Sequence, residues 1–339
     1  MTRRRLLPAA LAAALLATGA RGHEVHEAPE SAMEGPARAT TVEQDIAALA
    51  GLHLPAKRAA TRLVERGETI LPALHAALRA PATTDVQRLQ LATVLGEIGD
   101  AASTAPLIAL AESPAANPGL RQEVLAMLAE LPPAPAAAAF ATRVLENPRE
   151  SSLVRRKALV YFGLQRDERG RRFATRHRDD PDPEMRAAAL YTAARLGDAA
   201  AGDAALAFLR EPAPPSVRYA LLLALAETAT AAEIEARAPE YLRDSWEYRS
   251  ALRCARFRTG DAAERASLAR AMLSSPSIVE RKLAAASVIE REGADALARL
   301  AAPGYPEAVR AAARHQLRAS GYRVVRDGSS IRLERKVAP

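Results

Sequence analysis

Several groups of side chains in this 339-residue chain could do chemistry, and each has a competing structural use. His23 and His26, flanked by Glu24 and Glu27, stand close enough to hold a metal ion loosely. If cleavage of a leader leaves Arg21 first, His23 becomes the third residue. Its imidazole, the free amine and two amides then form a square-planar set suited to Cu(II). A polar leader with incidental histidines is the simpler reading, and no metal is assigned. Asp179, Asp180, Asp182 and Glu184 offer oxygen ligands of the kind calcium takes, but the intervening prolines make turn and N-cap roles the expectation. Arg166, Arg169, Arg171, Arg172, Arg176 and Arg178 form one basic cluster. Asp167 and Glu168 interrupt it, so a self-neutralised, solvated surface is expected rather than an anion or phospholipid site. Cys254, the single cysteine, lies among Arg249, Arg253, Arg256 and Arg258. Those cations would lower a thiol's pKa; a shielded thiol is the preferred alternative.

Nothing else in the sequence assembles a reaction. There is no G-x-S-x-G elbow, H-E-x-x-H, Gly-rich phosphate loop or Walker sequence, and the remaining histidines at 53, 75, 177 and 315 are dispersed. The expectation is a chain with no catalytic activity of its own, no cofactor and no metal. One cysteine excludes an internal disulfide framework. The formal charge of +7 falls to +4 once Arg3, Arg4 and Arg5 are removed with a leader, too little over so long a chain to argue for nucleic acid.

The elements that must position these residues follow one period. Residues 183–198 read P-E-M-R-A-A-A-L-Y-T-A-A-R-L-G-D: Asp182 as N-cap, Pro at the first helical position, Met185, Ala189, Ala193 and Leu196 at helical spacing, and Gly197 as stop. The apolar-Arg step Met185-Arg186 recurs as Leu120-Arg121, Val154-Arg155, Val217-Arg218, Tyr248-Arg249 and Val309-Arg310. Val86-Gln87 and Val279-Glu280 fill two further slots. Successive second members lie 34, 34, 31, 32, 31, 31 and 30 residues apart, the signature of a stacked repeat array. With 49% hydrophobic but only 4% aromatic residues, the core must be built from Ala, Leu and Val on closely packed helices.

Each unit combines a Pro-containing first helix, a D/P turn, an apolar-Arg-x-x-Ala second helix and a closing Leu-Gly-Asp. This pattern resembles the HEAT repeat, in particular the short HEAT-like form named after phycobiliprotein lyases, over roughly residues 55–320. The resemblance implies an all-α, right-handed solenoid of about eight helical hairpins, in which the recurring Arg ties adjacent turns through acidic residues. Asp85, Asp182, Asp198 and Asp261 are available for that role. It implies little about function, because such repeats serve many unrelated proteins. Gln87 and Glu280 replace the Arg, and Arg256 falls where an apolar residue is usual, so those units are expected to pack loosely.

Residues 1–20 read as a secretory signal: a basic start, a short apolar run, then small residues, too short to span a membrane. Arg3-Arg4-Arg5 also resembles a twin-arginine export motif. Residues 21–40 read as a disordered linker. Residues 41–67 read as N-terminal capping helices opened by a T-V-E-Q capping box, and residues 68–320 as the repeat solenoid. Residues 321–339 alternate with period two around Gly328, a β-hairpin and tail expected to cap the last helix. Each unit is expected to bury its apolar stripe only against its neighbours.

With the Arg position of each second helix set to zero, the +5 residues Val160, Tyr191, Leu223 and Cys254 point away from the seam at 100° per residue. So do the +9 residues Leu164, Arg195, Glu227 and Arg258. The apolar members either pack laterally between second helices or form a groove for a partner's peptide or helix. Val160, Leu164, Tyr191, Arg195, Leu223, Cys254 and Arg258 are therefore the candidate partner-binding residues. Trp246, Tyr248 and Tyr241 read as core, with binding anchors as the alternative. The reading is a periplasmic or secreted monomeric scaffold that binds a protein or peptide partner on its concave face, with no nucleic acid and no membrane span. The runner-up is an enzyme-associated subunit or lyase-like factor, by analogy with the phycobiliprotein-lyase relatives. A third reading, a HEAT-type nucleic-acid binder, requires the signal to be false.

Overall fold

The computed structural model describes residues 40–51, 54–211, 213–275, 278–302, 304–327 and 330–335. Residues 1–39, which hold the expected signal and most of the expected linker with His23 and His26, lie outside them. The described chain is mostly helical and ends in a two-stranded antiparallel sheet. After α1 (Val42–Ala48), two sets of helices alternate. The inner set is α2 (Leu54–Arg66), α4 (Asp85–Ile98), α6 (Pro118–Glu130), α8 (Ser152–Gln165), α10 (Pro183–Arg195), α12 (Pro215–Thr228), α14 (Trp246–Thr259), α16 (Ile278–Glu292) and α18 (Glu307–Ala319). The outer set is α3 (Leu71–Arg79), α5 (Thr104–Glu112), α7 (Pro135–Glu146), α9 (Gly170–Arg176), α11 (Ala200–Phe208), α13 (Ala231–Arg237), α15 (Ala262–Leu273) and α17 (Ala294–Ala301).

Local chemistry sets these boundaries. Thr41 makes the expected capping box with Gln44, and Asn117, Ser151, Asp182 and Ser245 cap inner helices through their side-chain oxygens. The Leu-Gly-Asp closures work because Gly99 and Gly197 take φ of 74° and 84°, a left-handed conformation that costs glycine nothing. Inner helices run parallel, and their ends are tied like to like. Arg121 at the start of α6 pairs with Glu150 before α8 at 2.7 Å, and Arg218 at the start of α12 pairs with Glu247 at the start of α14 at 3.4 Å. At the other end, Gln165 Nε2 donates to the carbonyls of Ala129 and Leu131 at 3.0 and 3.1 Å. Arg258 donates to Ala226 O and Ala229 O at 2.8 and 2.6 Å. These bonds satisfy the orphan carbonyls of the neighbouring helix end.

Neighbour packing is not the whole architecture, which corrects the expectation that each unit is buried only by adjacent units. The array curls until α18 meets α2 and α4. Arg318 donates to Val64 O at 3.0 Å and to Glu97 O at 3.3 Å, and Arg310 reaches Glu65 at 3.6 Å. Lys282 of α16 pairs with Glu130 of α6, 152 residues away. α16 packs on α15 and α18 and only lightly on α14, but Glu280 does not loosen it: the carboxylate is buried and accepts from Nε and Nη2 of Arg253 on α14 at 2.6 and 2.7 Å. A cavity of about 230 Å³ opens there, lined by Glu227, Cys254, Arg258, Leu283 and Ser287 among others. Gln87 does not loosen its unit, because its amide donates to Ile46 O of α1 at 2.8 Å. The hairpin, β1 (Tyr322–Asp327) and β2 (Ser330–Arg335), pairs Val324 with Leu333 and packs on α17 and α18. Tyr322, Val324, Ile331 and Leu333 supply its apolar face. Among the described residues no helix is long and apolar enough to cross a membrane.

Candidate functional site

The inner ridge is filled, not open. Val160, Leu164, Tyr191 and Leu223 are 3, 2, 0 and 0% exposed, and Cys254 is 6% exposed. An inner helix is walled by its outer partner and by inner helices on both sides, so a nearly continuous run such as 157–164 in α8 is buried. The +5 positions are lateral packing, and this corrects the groove reading. The +9 row is a polar ladder: Arg195, 2% exposed, pairs with Glu227, Arg166 joins Glu227 at 3.3 Å, and Arg258 caps α12 as above. Burial opposes ionisation of Glu227, but Arg195 and Arg166 outweigh it and hold its pKa down. Arg195 and Arg258 are therefore structural ties in the free chain. Burial, reinforced by Glu280 and Glu227, pushes the Cys254 thiol up, against the expectation that nearby arginines would lower it.

The other sequence candidates resolve as local structure. Asp182 accepts from Glu184 N at 3.0 Å, while Asp180 accepts from Asp182 N at 2.9 Å and meets His177 Nδ1 at 2.7 Å. Arg169, Arg171 and Arg172 pair with Asp167, Glu168 and Glu146, and Arg176 lies over the Phe173 ring. The recurring Arg does tie units together, though its partners are Glu150, Glu247 and Glu65 rather than the aspartates named from the sequence. Arg186 instead covers Phe208 at 4.0 Å. Among the described residues no group of three His, Cys, Asp or Glu side chains is placed to hold a metal ion.

Besides the cavity beside α16 and one of about 620 Å³ lined by Val42, Arg62, Arg66, Arg318 and Val324, two features are open to ligands. The first is a set of exposed apolar side chains: Leu54, Val86, Leu89, Tyr241, Trp246 and Tyr305, each 37–50% exposed. All sit where inner helices begin, on α2, on α4, at the entry to α14 and before α18. Trp246 lies against Tyr219 at 4.9 Å, and Tyr241 is pinned by its hydroxyl to Leu209 O at 2.7 Å. Tyr248 alone of the expected aromatic trio is core, at 5%.

The second is a cavity of about 270 Å³ where the two ends of the array meet. Helices α4 and α6 present Glu97, Glu123 and Glu130 to it, α16 presents Arg281 and Lys282, and α18 presents His315. Met127 and the alanines of α18 supply the apolar surface. His315 Nε2 stands 3.1 Å from Glu130 Oε2. Burial would raise the Glu130 pKa, but Lys282 and His315 bring it down to about 2. Burial raises that of Glu123. Behind Glu123, Lys157 is driven down to about 6, by burial first and Arg156 second. Sequence reading missed this site, whose signal was the scarcity of lysine: Lys157 and Lys282 are two of only four, both placed within apolar helix faces.

No protein-family model matches this chain, and no curated protein does. Among solved structures it is similar to human deoxyhypusine hydroxylase in complex with glycerol, at 17% identity and TM-score 0.36, covering 78% of this chain and 97% of that one. That protein is an enzyme, so the comparison runs against the expectation that this chain has no catalytic activity, and the expectation is withdrawn. A likeness at this TM-score argues for no activity in particular.

Proposed function

We propose that the mature chain is an exported binding scaffold of the HEAT-like, right-handed solenoid class with about eight units. It holds a protein partner against the end of the array where the inner helices begin. One observation carries this reading: Leu54, Val86, Leu89, Tyr241, Trp246 and Tyr305 all lie at that end, while the concave residues are buried. Rigid, half-exposed aromatics are the usual anchors of binding patches. The basic, short apolar leader supports export to the periplasm or medium, with the mature chain starting between residues 19 and 23.

The test is site-specific photo-crosslinking in the native envelope, with the photoreactive residue at 305 and, as control, at the exposed position 232, at the far end of the outer helix α13. One partner should be captured from 305 and lost in a Trp246→Ala, Tyr241→Ala background whose melting is unchanged. Capture from 232 alone would reject the inner-helix rim. N-terminal sequencing of the same material checks export, and recovery of uncleaved chain from the cytosol would reject it.

A further inference from the structure

The cavity at the closure is unlike the rest of the interior. Elsewhere the ties between inner helices reach one or two units along, as Arg195 and Arg166 join Glu227; here they join the first units to the last. Glu97, Glu123 and Glu130 face Arg281 and Lys282. Lys282 is engaged by Glu130, Arg281 is turned to the carbonyl of Ser275, and the charge of Arg318 acts on Glu97. Lys282 and His315 both lie on Oε2 of Glu130. Glu130 Oε1 is buried without a hydrogen-bond partner among the described residues, a costly arrangement for a carboxylate.

The opposite face of the cavity is small and apolar: Ala308, Ala311 and Ala312 of α18 with Val64 and Met127. A space of about 270 Å³ admits several heavy atoms. An apolar wall with a few convergent polar groups is the form ligand sites take.

We propose that the closure cavity binds a small primary amine, its ammonium facing the carboxylates of α6 and its carbon chain lying on the alanines of α18. An ammonium supplies three donors and one positive charge, and so the donor that Glu130 Oε1 lacks among the described residues. Because α6 and α18 come from opposite ends of the array, the bound amine also fastens the closure. This site is separate from the inner-helix rim and stands whether or not a protein partner binds there.

The test is calorimetric titration and thermal melting of the full mature chain with n-butylamine, against n-butanol and butyrate as neutral and anionic controls of similar size. Butylamine should bind saturably at one site and raise the melting temperature, while both controls should not. Ala311→Leu fills the cavity without touching its charges and should abolish the effect. Glu123→Gln should weaken binding about tenfold, as expected for one lost charge-assisted hydrogen bond, and keeps the test decisive if Ala311→Leu fails to fold. Absence of saturable butylamine binding, equal binding of butanol, preference for butyrate, or an undiminished response in either folded variant would overturn the proposal.

Discussion

The middle of the array and its closure are held together in opposite ways. From α8 to α14 the polar ties span one unit or two: Thr192 to Leu159 O over 33 residues, Arg195 to Glu227 over 32, Arg258 to Ala226 O over 32, Arg166 to Glu227 over 61. The space between is filled by Leu, Val, Ala and a few aromatics at near-zero exposure. At the closure the ties span 152 to 254 residues, from Glu130–Lys282 to Arg318–Val64 O, and they surround a cavity. A repeated unit solves the same packing problem at each step, so its solution can be small and apolar. The meeting of first and last units is solved once, between faces that no repeat makes alike, and it is done with buried charge.

The sharpest way to break this comparison is to charge the middle. Tyr191→Glu or Leu223→Glu buries a carboxylate with no provision for it, which costs several kcal/mol, and melting should fall by ten degrees or more, taking about 2–4 °C per kcal/mol for a large domain. Tyr191→Phe is the contrast: among the described residues the buried Tyr191 hydroxyl has no hydrogen-bond partner, so its removal should leave melting unchanged or slightly higher. Retention of wild-type melting in both glutamate variants would restore the open groove.

Next in size is the closure pair. Lys282→Met alone strips Glu130 of its main counter-charge and should cost about 3–5 kcal/mol in denaturant unfolding, whereas the double change Glu130→Met, Lys282→Met should recover most of it. Equal losses in the single and double variants would show that the pair is not coupled. The pH dependence has a sign as well. With the Glu130 pKa lowered from 4.5 to about 2, its contribution is complete above pH 4.5 and is lost as pH falls through about 2.

A pH-dependent effect sharpens the boundary between the regions. Lys157 lies in the middle yet is paired weakly, its pKa lowered from 10.5 to about 6. The unfolded chain binds more protons between those values, so stability should rise with pH across that window. Lys157→Met should therefore melt above wild type at pH 6, by an amount that shrinks toward pH 10. A constant difference across that range would contradict the assignment.

The sequence made the middle legible and the closure illegible, for physical reasons. Thr41, Asp182 and Gly197 act on the backbone within a few residues, so their capping and stop roles follow from local spacing. The recurring Arg is readable as a tie at Arg121 and Arg218, whose partners lie about one period away. The helical wheel failed at Val160, Tyr191 and Leu223 because it assumes one buried face, whereas an inner helix has neighbours on three sides. Nothing periodic connects Glu130 to Lys282 and His315, so only the fold brings them together. Export and the partner rest on the leader and on the exposed aromatics at the rim, which no repeat pattern predicts.

Hydrogen exchange on an Arg318→Ala variant tests the central claim, that the array is closed end to end, most directly. Arg318 is buried and hydrogen-bonds α2 and α4 from α18. Its loss should speed amide exchange in α18 and equally in residues 54–66 and 85–98, more than 200 residues away in sequence, while α8 to α12 keep wild-type protection. Faster exchange confined to α18 and the hairpin, with α2 and α4 unchanged, would mean an open array whose ends are independent.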